Sequence, residues 1–351
     1  MSMLDFAINA TTEYIDHMPK SQRKKYGQFF TSKETAAFMA ELFEIPNERQ
    51  TLSILDPGAG SGILSIALLE RLQAFSVIKE IRLVCYENDP NVMELLRANL
   101  EVACSQSRQK ISCEIVSDNY ILGQATDYNL MLGANLEPEK FDFVIGNPPY
   151  MKIAKDAPEA LAMPDVCYGA PNLYFLFASM SMFNLRDGGE MVYIIPRSWT
   201  SGAYFKRFRQ KFLSEGILEH IHLFVSRDKV FEKESVLQET IIIKLRKTRS
   251  KPKTVTITTT QSNADFSKKT IFEAPYSAVI NGPDSYVYLV TNAEEVETLN
   301  SLNKWENTLQ SIGLKMKTGL TVDFRNREAL RDVAEEQAVP LFYSQHIQNG
   351  K

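Results

Sequence analysis

Seven residues that join a short apolar run to an apolar helical segment constrain the fold of this chain more than any other feature. The run Thr51–Leu55 predicts a buried strand, and residues 63–72 predict a helix. The connection between them reads Asp-Pro-Gly-Ala-Gly-Ser-Gly. Its glycines let the backbone approach a ligand closely, so strand, loop and helix predict half of a nucleotide-binding α/β unit.

The loop departs from the two common phosphate-binding patterns. It is not the GxGxxG of dinucleotide enzymes, and it lacks the lysine of a P-loop. The carboxylate of Asp56, at the start of the loop, would repel a pyrophosphate and suits a ligand that carries positive charge. A tight turn without a ligand is the alternative interpretation of the same residues.

The strand-to-helix pattern recurs along the chain. A strand over Ile81–Tyr86 ends in Glu87, where nucleotide-binding α/β folds hold the hydroxyl pair of a ribose. The next strand, Ile111–Val116, precedes Asp118, which can reach the edge of a base in the same crevice. Seven such strands with intervening helices predict a doubly wound α/β domain that ends near residue 248.

A stiff tetrapeptide follows the fourth predicted strand, Phe141–Gly146. It reads Asn147-Pro148-Pro149-Tyr150, and its prolines cannot extend a sheet ladder. The carboxamide of Asn147 and the ring of Tyr150 are therefore expected at the carboxyl edge of the sheet, where open α/β sheets bind ligands. Taken alone, the tetrapeptide allows either a rigid turn or a site for a planar group with an amino nitrogen.

Two connections are expected to lack regular structure. Residues 119–138 predict a loop, because glycine, asparagine and aspartate interrupt any period. Residues 151–170 predict a long loop of the kind that forms a lid or stays disordered without its ligand.

Composition and charge exclude several classes of protein. The four cysteines have no CxxC spacing and no histidine cluster nearby, so we expect neither a metal site nor a disulfide framework. With no long apolar run and no leader peptide, we expect a cytoplasmic protein without a membrane partner. The net charge of −4 argues weakly against nucleic acid, but basic clusters occur at 20–25, 206–211 and 244–253, each of which could also be a solvated face.

Six short motifs occur along the chain in this order: Gly-Gln-Phe-Phe-Thr at 27–31, the glycine loop at 56–62, Tyr-Glu-Asn-Asp at 86–89, Ser-Asp at 117–118, Asn-Pro-Pro-Tyr at 147–150 and Asn-Leu-Tyr at 172–174. This ordered set resembles a known family, the amino-methyltransferases that act on adenine N6 in DNA. Their order is similar to the gamma type of type II restriction–modification methylases, with an Eco57I- or TaqI-like catalytic domain. The resemblance covers about residues 20–245.

This resemblance implies a fold, a cofactor and a substrate. The fold is the seven-stranded, Rossmann-like fold of S-adenosylmethionine-dependent methyltransferases. The implied enzyme moves a methyl group from S-adenosylmethionine to N6 of a flipped-out adenine in a specific double-stranded DNA sequence, with a restriction endonuclease as a candidate partner. The implied domains are an N-terminal helix and cofactor segment (1–30), a catalytic domain (31–248), and a linker with the beginning of a truncated target-recognition domain (249–351).

Roles for individual residues follow from the same resemblance. The residues implied to hold the cofactor are Tyr26 and Thr31 at its methionine end, Asp56, Gly58, Gly60 and Gly62 along the glycine loop, Glu87 at the ribose, Asp118 at the adenine amino group, and Asn147. The residues implied to hold the target adenine are Asn147, Pro148, Tyr150 and, as a second ring, Phe231.

The implied chemistry agrees with these residue types. A purine amine is a poor nucleophile, because its lone pair is delocalised into the ring. The side-chain oxygen of Asn147 and the carbonyl of Pro148 could each accept one N6 hydrogen and so favour a localised lone pair. A glutamine amide poses the same problem, so an enzyme acting on protein glutamine or on an RNA base is one alternative. A non-catalytic subunit that binds cofactor and DNA is another.

Overall fold

The structure is a computed structural model of the 351-residue chain. It describes residues 1–17, 19, 30–131, 139–169, 171–224, 239–264 and 266–305, together with scattered residues between 307 and 341. The chain divides into two units, Met1–Asn300 and Ser301–Lys351. The first unit contains the sheet and the candidate site.

A nine-stranded sheet forms the centre of the first unit. The strands are β1 (Thr51–Pro57), β2 (Glu80–Tyr86), β3 (Lys110–Val116), β4 (Phe141–Gly146), β5 (Leu185–Pro196), β6 (Ile217–Phe224), β7 (Thr240–Arg246), β8 (Thr254–Thr260) and β9 (Thr270–Pro275). Their spatial order is β3-β2-β1-β4-β5-β7-β6-β8-β9. Strands β1 to β5 are parallel, and β7 lies antiparallel between β5 and β6. The first seven strands confirm the predicted doubly wound α/β fold.

The sheet continues past the predicted domain boundary at residue 248. Strand β8 pairs in parallel with β6, from His220 opposite Thr256 to Phe224 opposite Thr260. Strand β9 then pairs antiparallel with β8. The predicted boundary therefore falls inside the first unit. Pairing with a strand more than thirty residues earlier leaves no local signal in the sequence.

Helices cover both faces of the sheet. They are α1 (Met3–His17), α2 (Lys33–Glu41), α3 (Ile63–Leu72), α4 (Pro90–Gln106), α5 (Tyr120–Met131), α6 (Pro158–Ala162), α7 (Leu173–Asn184), α8 (Lys206–Glu215), α9 (Tyr276–Val279) and α10 (Ala293–Leu302). Side chains alternate along the strands, so Val192 and Ile194 join the core beneath α1 to α4, while Tyr193 and Ile195 join the core beneath α5 to α8. No helix in the described ranges is both long and apolar enough to cross a membrane.

Short elements complete the first unit. Two 3₁₀ turns, Arg197–Thr200 and Ala203–Phe205, separate β5 from α8. Strands β10 (Ile280–Asn281) and β11 (Tyr286–Val287) form a small second sheet.

Helix α5 occupies a segment that was predicted to be a loop, so that prediction is wrong. The side-chain oxygen of Asn119 accepts hydrogen bonds from the backbone N–H groups of Ile121 and Leu122, each at 3.1 Å, and so caps the helix. Tyr120, Ile121 and Tyr128 are buried in the core. Packing of these side chains stabilises a helix whose sequence alone carries a weak periodic signal.

The last glycine of the loop between β1 and α3 is required by packing as well as by backbone geometry. Gly62 has a φ of +83°, in the left-handed region. A Cβ there would lie 2.8 Å from Cδ1 of Leu96 on α4. The close approach of α3 and α4 therefore depends on the missing side chain.

A matched pair of alanine substitutions separates these two effects. Gly188 also has a positive φ, +76°, but a Cβ there would meet no atom within 4 Å. We expect Gly188→Ala to lower the free energy of unfolding by about 1–2 kcal/mol, the cost of the left-handed backbone. Gly62→Ala should lose about 1–3 kcal/mol more through overpacking. Urea denaturation measures both, and equal losses would contradict the packing role.

Candidate functional site

A cleft opens at the carboxyl ends of β1, β2 and β4, where the strand order reverses between β1 and β4. This is the position at which open α/β sheets bind ligands. The cleft holds about 1110 Å³ of space, including its open mouth. Six residues that the sequence predicted as site residues line it: Thr31, Gly58, Gly60, Glu87, Asp118 and Asn147.

The glycine loop is fixed to the end of β2 by backbone hydrogen bonds. The N–H groups of Gly58 and Ala59 both donate to the carbonyl oxygen of Tyr86, each at 2.8 Å. Gly58 and Gly60 have φ values of +75° and +56°, which favour glycine. These bonds hold the loop open toward the cleft.

The carboxylate of Glu87 is fixed at the floor of the cleft. Its Oε2 accepts from the Gly60 N–H at 2.8 Å, and its Oε1 accepts from the Asp89 N–H at 2.9 Å. Burial raises the pKa of Glu87, and the backbone N–H groups oppose that rise. Each carboxylate oxygen can accept a second hydrogen bond, so the group is arranged to receive hydroxyl donors from a ligand.

Asp118 stands at the opposite side of the cleft in a different environment. Its side chain is exposed and makes no hydrogen bond with the residues that the structure describes. Asn119 beside it was not predicted, and its amide nitrogen donates to Glu159 at 2.8 Å. The two neighbours therefore differ. The carboxylate oxygens of Asp118 face the cleft as hydrogen-bond acceptors, whereas the side chain of Asn119 is bonded to Glu159.

Four predicted site residues lie behind the cleft wall rather than on it: Asp56, Gly62, Pro148 and Tyr150. Asp56 is fully buried, and its Oδ2 accepts a hydrogen bond from the Ser65 hydroxyl at 2.6 Å. Its Oδ1 has no hydrogen-bond partner within the described part of the chain. Burial raises the pKa of Asp56 to about 7, against the opposing effect of Ser65. The structure therefore does not bring Asp56 to the surface of the cleft.

The carboxamide of Asn147 is held at both ends. Its nitrogen donates to the Thr31 hydroxyl at 3.2 Å, across a sequence separation of 116 residues. The hydroxyl of Tyr150 is 2.7 Å from Asn147 Oδ1 and 2.9 Å from the carbonyl oxygen of Ile194, so its single proton is shared between two acceptors. Sequence reasoning assigned Thr31 to a cofactor and missed its contact with Asn147.

The ring of Tyr150 is buried in this structure. It is 8% exposed, and its centroid lies 6.3 Å from that of Tyr174 in an edge-to-face arrangement. The predicted stacking of this ring on a base stays a prediction, and it requires the ring to be uncovered. Tyr26 and Phe231, the other predicted aromatic contacts, lie outside the described residues.

Sequence reasoning also missed the aromatic wall of the cleft. The ring centroids of Tyr86 and Tyr120 are 5.0 Å apart, and those of Tyr120 and Phe177 are 5.2 Å apart. All three residues line the cleft. Phe177 belongs to α7, whose apolar residues surround the whole helix, and that pattern predicts burial without marking which side chain reaches a ligand.

The loop after the tetrapeptide is packed rather than loose in its described part. Its ends are joined, because the Leu173 N–H donates to Met151 at 2.9 Å and the Ile153 N–H to Pro171 at 3.0 Å. Met163 and Val166 are fully buried. Residues 151–172 therefore form a closed loop whose two ends, Met151 and Leu173, line the cleft.

Most of the basic cluster at 206–211 is used inside the protein. Arg209 is fully buried and donates to the backbone oxygens of Trp199 and Gly202. Lys211 pairs with Asp165 and Glu215. The interpretation of this cluster as a phosphate-binding face therefore does not hold for these two residues.

Strand order, glycine loop and the acidic residue at the end of β2 together define a class, the S-adenosylmethionine-dependent methyltransferase fold. A solved class I S-adenosylmethionine-dependent methyltransferase from Listeria monocytogenes superposes with a TM-score of 0.52 at 20% identity, covering 69% of this chain and 68% of that one. Residues 73–231 match the family model of the Eco57I restriction-modification methylases. This match confirms the family resemblance predicted from the motifs.

Two curated relatives extend the similarity to nearly the whole chain. The type II methyltransferase M.PstI of Providencia stuartii is 35% identical over 341 residues, which are 94% of this chain and 65% of that protein. The type II methyltransferase M.BsuBI of Bacillus subtilis is 34% identical over 335 residues, 93% of this chain and 64% of that protein. The chain thus spans slightly less than two thirds of the length of either relative.

The buried carboxyl of Asp56 gives a pH-dependent prediction. Between the pKa of an unfolded aspartate, about 3.9, and its folded value of about 7, the folded state retains a proton that the unfolded state releases. Stability is therefore lost as pH rises through this window. Asp56→Asn keeps an acceptor for Ser65 and does not titrate.

We expect the free energy of unfolding of the natural protein, relative to Asp56→Asn, to fall by about 2 kcal/mol from pH 5 to pH 7. Urea denaturation at the two pH values measures it. If the difference in unfolding free energy between the natural protein and Asp56→Asn were the same at both pH values, Asp56 would be ionised in the folded protein.

Proposed function

We propose that this protein transfers a methyl group from S-adenosylmethionine to the N6 amino group of an adenine in DNA. The observation that carries the proposal is the fixed carboxamide of Asn147 at the edge of a cleft that also presents Glu87 and Asp118. The names of the two type II methyltransferase relatives support DNA as the substrate. A restriction endonuclease partner is proposed on the same basis.

The residues of the cleft fit S-adenosylmethionine. A Cβ at Gly58 or Gly60 would project toward neighbouring rings, so the missing side chains leave room for a ligand beside the loop. Both residues also have positive φ values, which favour glycine. Glu87 would accept hydrogen bonds from the ribose hydroxyls, and Asp118 from the adenine amino group. Tyr86, Tyr120 and Phe177 would pack against apolar parts of the cofactor. The cofactor supplies an electrophilic methyl group on a positively charged sulfur.

The carboxamide of Asn147 would act on the target amine. A carboxamide oxygen has two lone pairs, so Oδ1 can accept from the Tyr150 hydroxyl and from an N6 hydrogen together. The carbonyl of Pro148 would accept the other N6 hydrogen. These fixed dipoles favour a nitrogen with a localised lone pair, which is the arrangement that attacks a methyl carbon.

Tyr150 is proposed to have two roles. Its ring would stack on the flipped base, and stacking of about 1–3 kcal/mol per base offsets part of the few kcal/mol needed for flipping. Its hydroxyl, which the sequence gave no reason to single out, is a positioning group for Asn147. Thr31 fixes the other end of the same carboxamide.

Substitution of Asn147 tests the proposed function directly. Purified protein is incubated with tritiated S-adenosylmethionine and plasmid DNA, total RNA or protein extract, and the DNA is digested to nucleosides. We expect N6-methyldeoxyadenosine from the natural sequence and a loss of about a hundredfold or more in rate for Asn147→Ala. Cofactor affinity, measured by calorimetry, should change little.

Asn9→Ala is the matched control, because Asn9 is exposed on α1. It should leave the rate unchanged. If the label appeared in RNA or in protein glutamine and not in DNA, that acceptor would replace adenine in DNA as the proposed substrate. Absence of label from every acceptor would favour a non-catalytic subunit.

Removal of the Tyr150 hydroxyl tests the positioning role. Tyr150→Phe keeps the ring and removes the donor to Asn147, so we expect kcat to fall about tenfold, with the KM for S-adenosylmethionine unchanged. Tyr150→Ala should lose more, since the ring is lost as well. Tyr193→Phe removes a buried hydroxyl bonded to Ser181 at 2.6 Å and serves as the control. If Tyr150→Phe had the same kcat as the natural protein, the positioning role of the hydroxyl would be contradicted.

A further inference from the structure

Two tyrosines beside the cleft are exposed and yet held in place. Tyr168 is 54% exposed and Tyr204 is 62% exposed. Gly169 has a φ of +82°, and a Cβ there would lie 2.3 Å from Cδ1 of Tyr204, so the Tyr204 ring rests against the backbone of Gly169. The guanidinium of Arg207 lies 5.9 Å from the Tyr168 ring centroid and donates to the Cys167 carbonyl at 3.2 Å.

A row of aromatic rings connects this surface with the tetrapeptide. Phe205, next to Tyr204 in the chain, has its ring centroid 5.9 Å from that of Tyr174. The Tyr174 centroid lies 6.3 Å from that of Tyr150. The surface formed by Tyr168, Tyr204 and Arg207, which we call the tyrosine patch, is therefore linked through Phe205 and Tyr174 to the tetrapeptide that is proposed to hold the target base.

The loop that carries Tyr168 leads to the same place. Residues 151–172 begin and end at the cleft wall, with Met151 hydrogen-bonded to Leu173 at its base. The turn that carries Tyr204 follows β5, whose Ile194 accepts from Tyr150. Both tyrosines are thus presented by elements that also frame the tetrapeptide.

The charges near the patch favour an anionic strand. Lys206 is paired with Asp284 at 2.6 Å, and Arg209 is buried on backbone oxygens. Arg207 is exposed and has no carboxylate within ion-pair distance in the described part of the chain. Exposed rings combined with an arginine are the features by which proteins bind unpaired nucleotides.

We propose that the tyrosine patch binds the nucleotides that flank the flipped adenine, on the strand that carries it. Flipping removes stacking partners from the neighbouring bases, and the two rings replace those partners while Arg207 contacts a phosphate. This inference rests on the proposed function. It assigns DNA contacts to two tyrosines that the sequence did not single out.

The test measures binding of a fluorescein-labelled single-stranded oligonucleotide and of its duplex by anisotropy at low salt. We expect Tyr168→Ala and Tyr204→Ala each to weaken single-strand binding about tenfold, and the double variant to lose more. Tyr168→Phe with Tyr204→Phe should bind like the natural protein, because the rings remain. Tyr288→Ala, which removes a 37% exposed tyrosine elsewhere in the first unit, is the control.

Gly169→Ala moves the Tyr204 ring without removing it. Its Cβ has no room while the ring keeps its position, so we expect weaker single-strand binding here too. Cofactor binding by calorimetry should be unchanged in all these variants, which shows that the cleft is intact.

Two results would overturn the proposal. One is a double alanine variant that binds the single strand as tightly as the natural protein. The other is a double variant that changes the oligomeric state in light scattering with DNA binding unchanged, since the patch is then an interface between copies of the chain. If the natural protein itself neither binds nor methylates DNA, the proposed function fails first; if it methylates DNA and the double variant gives either of these two results, only the patch is wrong.

Discussion

The attachment of the glycine loop to the end of β2 is the interaction on which the site depends. Three consecutive N–H groups, from Gly58 to Gly60, are used in this attachment, two on the Tyr86 carbonyl and one on the Glu87 carboxylate. The loop is therefore held by the residue that is proposed to contact the ribose. A single carboxylate both shapes the cleft and offers acceptors to a ligand, so loop geometry and ligand binding are not separable at Glu87.

The sequence predicted which residues meet at the cleft wherever position along a strand decides the outcome. Carboxyl ends of parallel strands meet at one edge, so Glu87, Asp118 and Asn147 come together in the structure as expected. The sequence did not predict the position of a group where the direction of its side chain decides that position. Asp56 ends a strand too, but its carboxyl turns into the core toward Ser65. Helix α5 and the pairing of β8 with β6 depend on contacts between segments that are distant in sequence, and no local pattern records them.

Two basic clusters in the sequence, at 206–211 and 244–253, contain cations that bind groups of the protein itself, and the third, at 20–25, lies outside the described residues. Lys247 donates to the backbone oxygens of Met182 and Leu185, each at 2.8 Å, and so satisfies the carboxyl end of α7. Lys244 is almost fully buried among carboxylates that include Glu190 and Glu219. A cation can serve the interior as readily as a phosphate, and only its burial and its partners distinguish the two uses. The surface proposed to meet DNA contains one arginine and two uncharged rings.

The continuation of the sheet through β8 and β9 sets the smallest piece of this protein that can be expected to behave well in solution. A fragment that stops at residue 248 would leave the whole edge of β6 without its parallel neighbour, from His220 to Phe224. Such an edge pairs readily with strands of other molecules. In the described part of the chain the outermost strand is β9, where Ile271 is exposed and lies opposite Thr258. The two added strands therefore cover the edge of β6 and move the open edge of the sheet to β9.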